Sequence, residues 1–291
     1  MMLLWLACTK AAPTTAAADS ALVPGDSACA QFDAPQSPGR IEDKAITEIS
    51  GIAASRTHGG VLWIHEDSGR PADVIAIDET GQTLATISMS GIKNLDWEDL
   101  AIGPCGDRSC LFVGDIGDNP GERESVSVLR FPEPDPAAGD QDIVPEVFTA
   151  VYPDGPHDAE ALVVSPDGLP ALLTKGDETA VYAFPALDSA AVVTLERLGT
   201  VDVVTGRTAG LADMTTAADL SADGSQLAVR TYTRIWVYPV GSSLAELGER
   251  EAVASKAEFQ GEALSYDAEG RGLWHISEGS RARLYRLECL E

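Results

Sequence analysis

A short strand-and-turn unit recurs five times along the chain, and no other feature restricts the fold so tightly. ISGIAAS from Ile49, WEDLAIG from Trp97, AEALVVS from Ala159, AADLSAD from Ala217 and GEALSYD from Gly261 share one form. Four of them run into the turn sequences THGG, SPDG, SADG and DAEG, each with a glycine able to take positive φ. The second residues of the units are Ser50, Glu98, Glu160, Ala218 and Glu262, at successive intervals of 48, 62, 58 and 44. Between the units lie runs rich in branched and aromatic residues, such as VLWIHE, LFVGDI, AVYAF, RIWVY and GLWHIS. Long amphipathic helical patterns are nearly absent. Repeats of about 40–50 residues with several short strands each are the pattern of a β-propeller.

The expected fold is therefore all-β: a single β-propeller of five blades. Six is the alternative, because Thr200 to Thr215 is long enough to hold an extra hairpin. Four units have room for four strands, but the fifth has room for three before Glu291. Residues 38–48 (PGRIEDKAITE) are expected to supply the missing strand and close the ring, which removes exposed sheet edges. Trp63, Trp236 and Trp274 fall inside strand runs and read as blade core.

In a propeller the first strand of each blade lines the central channel, so one repeat position becomes one height on the axis. Ser50, Glu98, Glu160, Ala218 and Glu262 are expected there. Three converging carboxylates need compensation, and oxygen-only ligands suit a hard divalent cation, Ca²⁺ above Zn²⁺. The expected ligands are Ser50, Glu98, Glu160 and Glu262. The plainer alternative is a wet acidic channel whose glutamates pair with basic neighbours. Reflection through the SPDG turn places Lys175 opposite Glu160, and reflection through SADG places Arg230 beside the partner of Ala218. Loops after the second strands carry Glu66, Asp67, Asp115, Asp118, Asn119, Asp177 and Glu278, while His157 and Asp158 precede Glu160. Lys175, Arg230, Asp115 and Asp67 are the candidate substrate-binding residues. GDIGDN (114–119) reads as a turn, with a second metal site as its alternative. No G-x-S-x-G nucleophile motif and no zinc signature occur.

The order Ser50, Glu98, Glu160, Glu262 resembles calcium-dependent nucleotidases of the apyrase type. That resemblance implies five blades and an axial Ca²⁺ held by Ser and Glu from successive blades. It departs at the fourth blade, where the family has Ser and this chain has Ala218, with Thr216 two residues earlier. WEDLA, AEALV and GEALS also resemble the D-x-E-G-x-A repeats of phytase-like esterase propellers, and SADGSQLAV resembles a turn of TolB-type propellers.

The chain opens MMLLWLACTK, with Ala7 before Cys8. This resembles a bacterial lipoprotein signal, which makes Cys8 the expected lipidation site. The expected organisation is signal segment 1–8, flexible tether 9–37 and propeller domain 38–291. The other four cysteines allow three pairings. Only Cys29–Cys289 with Cys105–Cys110 is end-to-end plus local. Such bonds persist in oxidising compartments, so a lipid-anchored protein of the cell envelope, periplasmic or extracellular, is expected. With 46 acidic against 20 basic residues the net charge is −26, which disfavours nucleic acid and anionic membrane surfaces as partners. Membrane contact is expected through the lipid anchor only, and the chain is expected to be a monomer. The functional expectation is a binding module with an axial Ca²⁺ and an acidic face for a small anionic or metal-bridged ligand. The alternative is a calcium-dependent hydrolase of phosphate esters or anhydrides.

Overall fold

The computed structural model describes residue 29 and residues 31–206, 210–253 and 260–290. Among these the chain forms five sheets, whose inner strands are Ile49–Ala54, Trp97–Cys105, Ala159–Val164, Thr215–Leu220 and Gly261–Tyr266. Each inner strand packs against the inner strands of both neighbouring blades, and the fifth meets the first, so the ring closes. This is a five-bladed β-propeller. The stretch from Thr200 to Thr215 holds no sixth sheet among its described residues, only a 3-10 turn at Leu211–Asp213. Gly168 and Gly224 take φ of 84° and 74° in the SPDG and SADG turns, as the hairpins require.

Burial follows the blade geometry. Most inner-strand residues are buried on both faces, whereas outer strands such as Thr83–Met89 alternate between buried and exposed. The apolar core consists of five clusters, each made by residues of two adjacent blades. Trp63 and Trp274 are buried in two of these, while Trp236 is half-buried under Arg250. Two outer edges gain a short parallel strand from the next blade: Gln141–Ile143 on Thr83–Met89, and Val193–Thr194 on Glu146–Val151.

The ring is closed from the N-terminal side. Gln36–Arg40 pairs antiparallel with Arg283–Glu288 as the outer strand of blade five. It overlaps the expected segment 38–48 only at residues 38–40. Beyond Arg40, residues 42–45 form an exposed turn, and Ile41 and Ile46 are buried between blades five and one instead of continuing the strand. Pro38 is tolerated because the strand lies at a sheet edge. Phe32 bridges to Cys289, and Asp33 N–H donates to the Glu288 carbonyl at 2.9 Å. Residues 31–37, read from the sequence as tether, thus lie against blade five. Cys8 and residues 9–28 lie outside the described residues.

Both expected disulfides form. Cys29–Cys289, with Cα atoms 5.5 Å apart, joins segments 260 residues apart, and Cys105–Cys110 staples the first hairpin of blade two. They suggest an oxidising, exported environment. Among the described residues no helix is long and apolar enough to cross a membrane.

Side chains also tie neighbouring blades across every junction. Ser50 Oγ donates to the Glu98 carbonyl at 2.7 Å, from blade one to blade two. Asp99 of blade two accepts the Leu162 N–H of blade three at 2.9 Å. Thr179 and Thr215 share a 2.7 Å hydroxyl bond between blades three and four. Asp219 of blade four accepts the Tyr266 N–H of blade five at 2.8 Å, and Ser265 Oγ accepts the Ala54 N–H of blade one at 3.0 Å.

In the chain-entropy view a disulfide stabilises more as the loop it closes lengthens. Replacing Cys289 with Ser should therefore cost about 5 kcal/mol before any strain, and replacing Cys110 with Ser about 2 kcal/mol. Urea unfolding followed by tryptophan fluorescence measures both; equal losses would contradict the closure role of the long bond.

Candidate functional site: an acidic channel mouth

All five inner strands carry the same irregularity near their start. Pairing steps from Ile49 to Gly51, Trp97 to Asp99, Ala159 to Ala161, Thr215 to Ala217 and Gly261 to Ala263, while the partner strand advances by one residue. The extra residues are Ser50, Glu98, Glu160, Thr216 and Glu262. A β-bulge re-aims the side chain of its extra residue, so the ring position is built into the backbone. The fourth member is Thr216; the expected Ala218 lies two residues further in, paired with Val229. Thr216 Oγ1 donates to the Gly261 carbonyl at 2.6 Å, another tie between blades four and five.

Glu98, Glu160 and Glu262 are all about 95% buried. The carboxylates of Glu98 and Glu160 meet those of the loops above, whereas Glu262 belongs to neither close group. Oxygens of Asp67, Asp96 and Glu98 lie within 4.8 Å of one another, and so do those of Glu98, Asp158 and Glu160. Glu98 has no adequate donor among the described residues. The single proton of Ser50 goes to the Glu98 carbonyl at 2.7 Å, leaving only a 3.4 Å contact with Glu98 Oε2. Glycine shapes the site beside it: a Cβ at Gly117 would lie 2.2 Å from Glu98 Oε1 and 2.5 Å from Asp96 Oδ2.

Lys175 is where reflection placed it, with Nζ 2.5 Å from Glu160 Oε1 and 5.3 Å above the Tyr232 ring. Arg230 lies over Gly261, where a Cβ would collide with its guanidinium, and donates to the Ala263 carbonyl at 3.3 Å. Asp67 joins the acidic mouth. Asp115 does not: its carboxylate accepts from Arg123 at 2.7 Å, and the same guanidinium holds the Gly117 carbonyl at 2.7 Å. The GDIGDN segment ends strand Arg108–Asp115 and leads through residues 116–118 into a turn at Asn119. Asp118 accepts the N–H groups of Glu122 and Arg123, and its own N–H donates to Asp158 at 2.8 Å.

Burial dominates the electrostatics. It pushes Glu98 well above the usual carboxylate range, and Glu160, Asp67, Asp96 and Asp158 push it further. Burial raises Glu160 to about 7 despite the pull of Lys175. It raises Glu262 to about 8, helped by Glu160 and Glu278 and opposed by Lys175 and Arg230. Asp96 and Asp158 are also raised, first by burial. Burial works against the Lys175 charge, but Glu160 and Tyr232 reverse it and hold the ammonium protonated.

No family model matches the chain, and no curated protein matches it in sequence. Solved structures of similar shape include the PQQ-bound aldose sugar dehydrogenase from Streptomyces coelicolor, 11% identical with a TM-score of 0.49, covering 88% of this chain and 98% of that one. The β-propeller domain of Myceliophteria thermophila Cps50 (Swd1) is 16% identical with a TM-score of 0.43, covering 84% of this chain and 65% of that one. At such identities neither likeness bears on the chemistry of the mouth.

The sequence reading misses Asp96, and names Asp158 before Glu160 without making it a ligand. Asp96-Trp97-Glu98 and Asp158-Ala159-Glu160 repeat one spacing, Asp two residues before the ring Glu, and both aspartates reach the mouth.

A carboxylate with a raised folded pKa binds protons more tightly folded than unfolded. Its contribution is most favourable below the unfolded value near 4.5 and declines as pH rises toward the folded one. Metal-free protein should thus lose stability between pH 5 and 8. Glu262→Gln in chelator at pH 8 should raise Tm by at least about 2–4 °C, the response to roughly 1 kcal/mol in a domain of this size. A lower melting point in the variant would show that the Glu262 charge is already compensated.

Proposed function

We propose that this propeller is an exported binding module whose channel mouth holds a divalent cation of the calcium class. One observation carries the reading: Glu98 is a buried carboxylate with no adequate donor among the described residues, placed among four further carboxylates. Among the described residues only Glu160 of these five has an ion-pair partner, Lys175. Protein interiors leave such a charge in place only with a compensating ion or a proton. Glu98, Asp158 and Glu160, whose oxygens lie within 4.8 Å of one another, would hold the ion, with Glu262 and the Ser50 hydroxyl oxygen beside them. The donor set is all oxygen, which fits Ca²⁺ and not a thiolate-bound or imidazole-bound metal. Lys175, Tyr232 and Arg230 border the same mouth, so the ligand class is a small anion, a phosphate or carboxylate, bridged to the ion. The order of Ser and Glu around the ring, like that of apyrase-type nucleotidases, supports the reading. Anchoring through Cys8 belongs to the same proposal.

A second reading, calcium-dependent hydrolysis of phosphate esters or anhydrides, is favoured by one feature. His157, next to Asp158 in the chain, has Nε2 2.9 Å from Asp154 Oδ1 and 3.0 Å from the Tyr182 hydroxyl. A histidine oriented in this way by a carboxylate is the usual form of a general base. Nucleotides, sugar phosphates and phytate, assayed with Ca²⁺ and with chelator, separate the readings: chelator-sensitive turnover of any of them selects the hydrolase.

Ca²⁺ at a hundred times its Kd should stabilise the fold by about 2.7 kcal/mol, or roughly 5–10 °C in Tm. Because protons compete for the same carboxylates, apparent affinity should rise from pH 6 to 8. Glu160→Gln should weaken the effect by tenfold or more. Glu178→Gln, on an exposed carboxylate paired with Arg197, should leave it intact. A melting point indifferent to both Ca²⁺ and chelator, with no metal in the purified protein, would leave only a wet acidic channel.

A further inference from the structure

Building on the cation-binding reading, we propose that the mouth holds two divalent cations that share Glu98. The mutually close carboxylate oxygens fall into two triads, Asp67–Asp96–Glu98 and Glu98–Asp158–Glu160, and they do not merge into one group of five. Only Glu98 belongs to both. Asp67 follows the second strand of blade one, Asp96 and Glu98 open blade two, and Asp158 and Glu160 open blade three. The triads therefore stand side by side over consecutive blades. Ca²⁺ takes its oxygens at about 2.3–2.6 Å, so the ligands of one ion lie within about 5 Å of one another, a condition that each triad meets and the five carboxylates together do not.

Compensation is equally uneven. Lys175 lies 2.5 Å from Glu160, at the blade-three end. Among the described residues no Lys or Arg forms an ion pair with Asp67, Asp96 or Glu98; the nearby Arg123 is engaged by Asp115 at 2.7 Å. The triad on the side of blades one and two thus carries three carboxylates with no ion-pair partner among the described residues. One of these, Glu98, is 4% exposed, and its Oε1 accepts no hydrogen bond from them. Glu98 Oε1 and Asp96 Oδ2 together fill the space that a side chain at position 117 would take. Asp67 and Asp96 are half-buried, so this second ion would stay open to solvent and to a bridging anion.

The test is the number of Ca²⁺ ions bound per chain, measured by equilibrium dialysis and elemental analysis on the full chain, with folding checked by circular dichroism. Wild type should bind two. Asp96→Asn and Asp158→Asn should each bind one, and Glu98→Gln none at the same free Ca²⁺. The Asp96 backbone carbonyl still accepts from Ile116 and Gly117 in its variant, so the loop keeps its anchor. Asp67→Asn provides an independent probe of the same triad and should also bind one. One ion in wild type, whether lost in both Asp variants or retained in Asp96→Asn, overturns the two-ion centre and leaves the single-cation reading standing. No ion in wild type overturns both.

Discussion

One extra residue at the start of every inner strand governs the channel. A regular strand would alternate its side chains between the two faces of the blade. The bulge breaks that alternation at one height in all five blades, so Ser50, Glu98, Glu160, Thr216 and Glu262 share a height in the ring. The make-up of the mouth depends on this backbone feature: which carboxylates approach, which hydroxyls reach the next blade, and where Lys175 comes to rest.

That arrangement works against stability, and the ring carries compensation elsewhere. Three buried glutamates are raised by burial first and then by neighbouring carboxylates. Against them stand the five apolar clusters between blades, the long disulfide, and the side-chain bonds that cross each junction. The closing strand contributes indirectly, because blade five without Gln36–Arg40 would end on an open edge. An acidic mouth of this kind fits a rigid closed ring, where repulsion cannot be relieved by moving one blade outward.

Much of this is legible in the sequence. The turn glycines, the five units, both disulfides and the Lys175–Glu160 pairing follow from spacing alone. The fourth ring residue is missed when Ala217 is aligned with Ala159 by composition. Ser165 and Ser221, which open the two equivalent turns, differ by 56, and the same step from Glu160 leads to Thr216. Turn register is the better ruler, since hairpin geometry fixes the distance from turn to bulge while the strand residues are free to vary. The closing strand lies earlier than expected for a different reason. Ile41 and Ile46 look like strand residues, but their burial serves a blade junction and not a sheet. Asp115 gives no local sign of its engagement, because Arg123 meets it across a loop.

Residue type does not separate function from structure here; the hydrogen-bond donors do. Asp99 and Asp219 are as buried as Glu98, yet each is surrounded by backbone N–H groups: Leu100 and Leu162 for Asp99, Leu220 and Tyr266 for Asp219. Those donors replace lost water, so the two aspartates act as rivets between strands. Glu98, one residue before Asp99, is re-aimed by the bulge and accepts no backbone N–H among the described residues. Two adjacent carboxylates on one strand thus take opposite parts. One is satisfied by backbone donors, and the other has, among the described residues, only the 3.4 Å contact from Ser50.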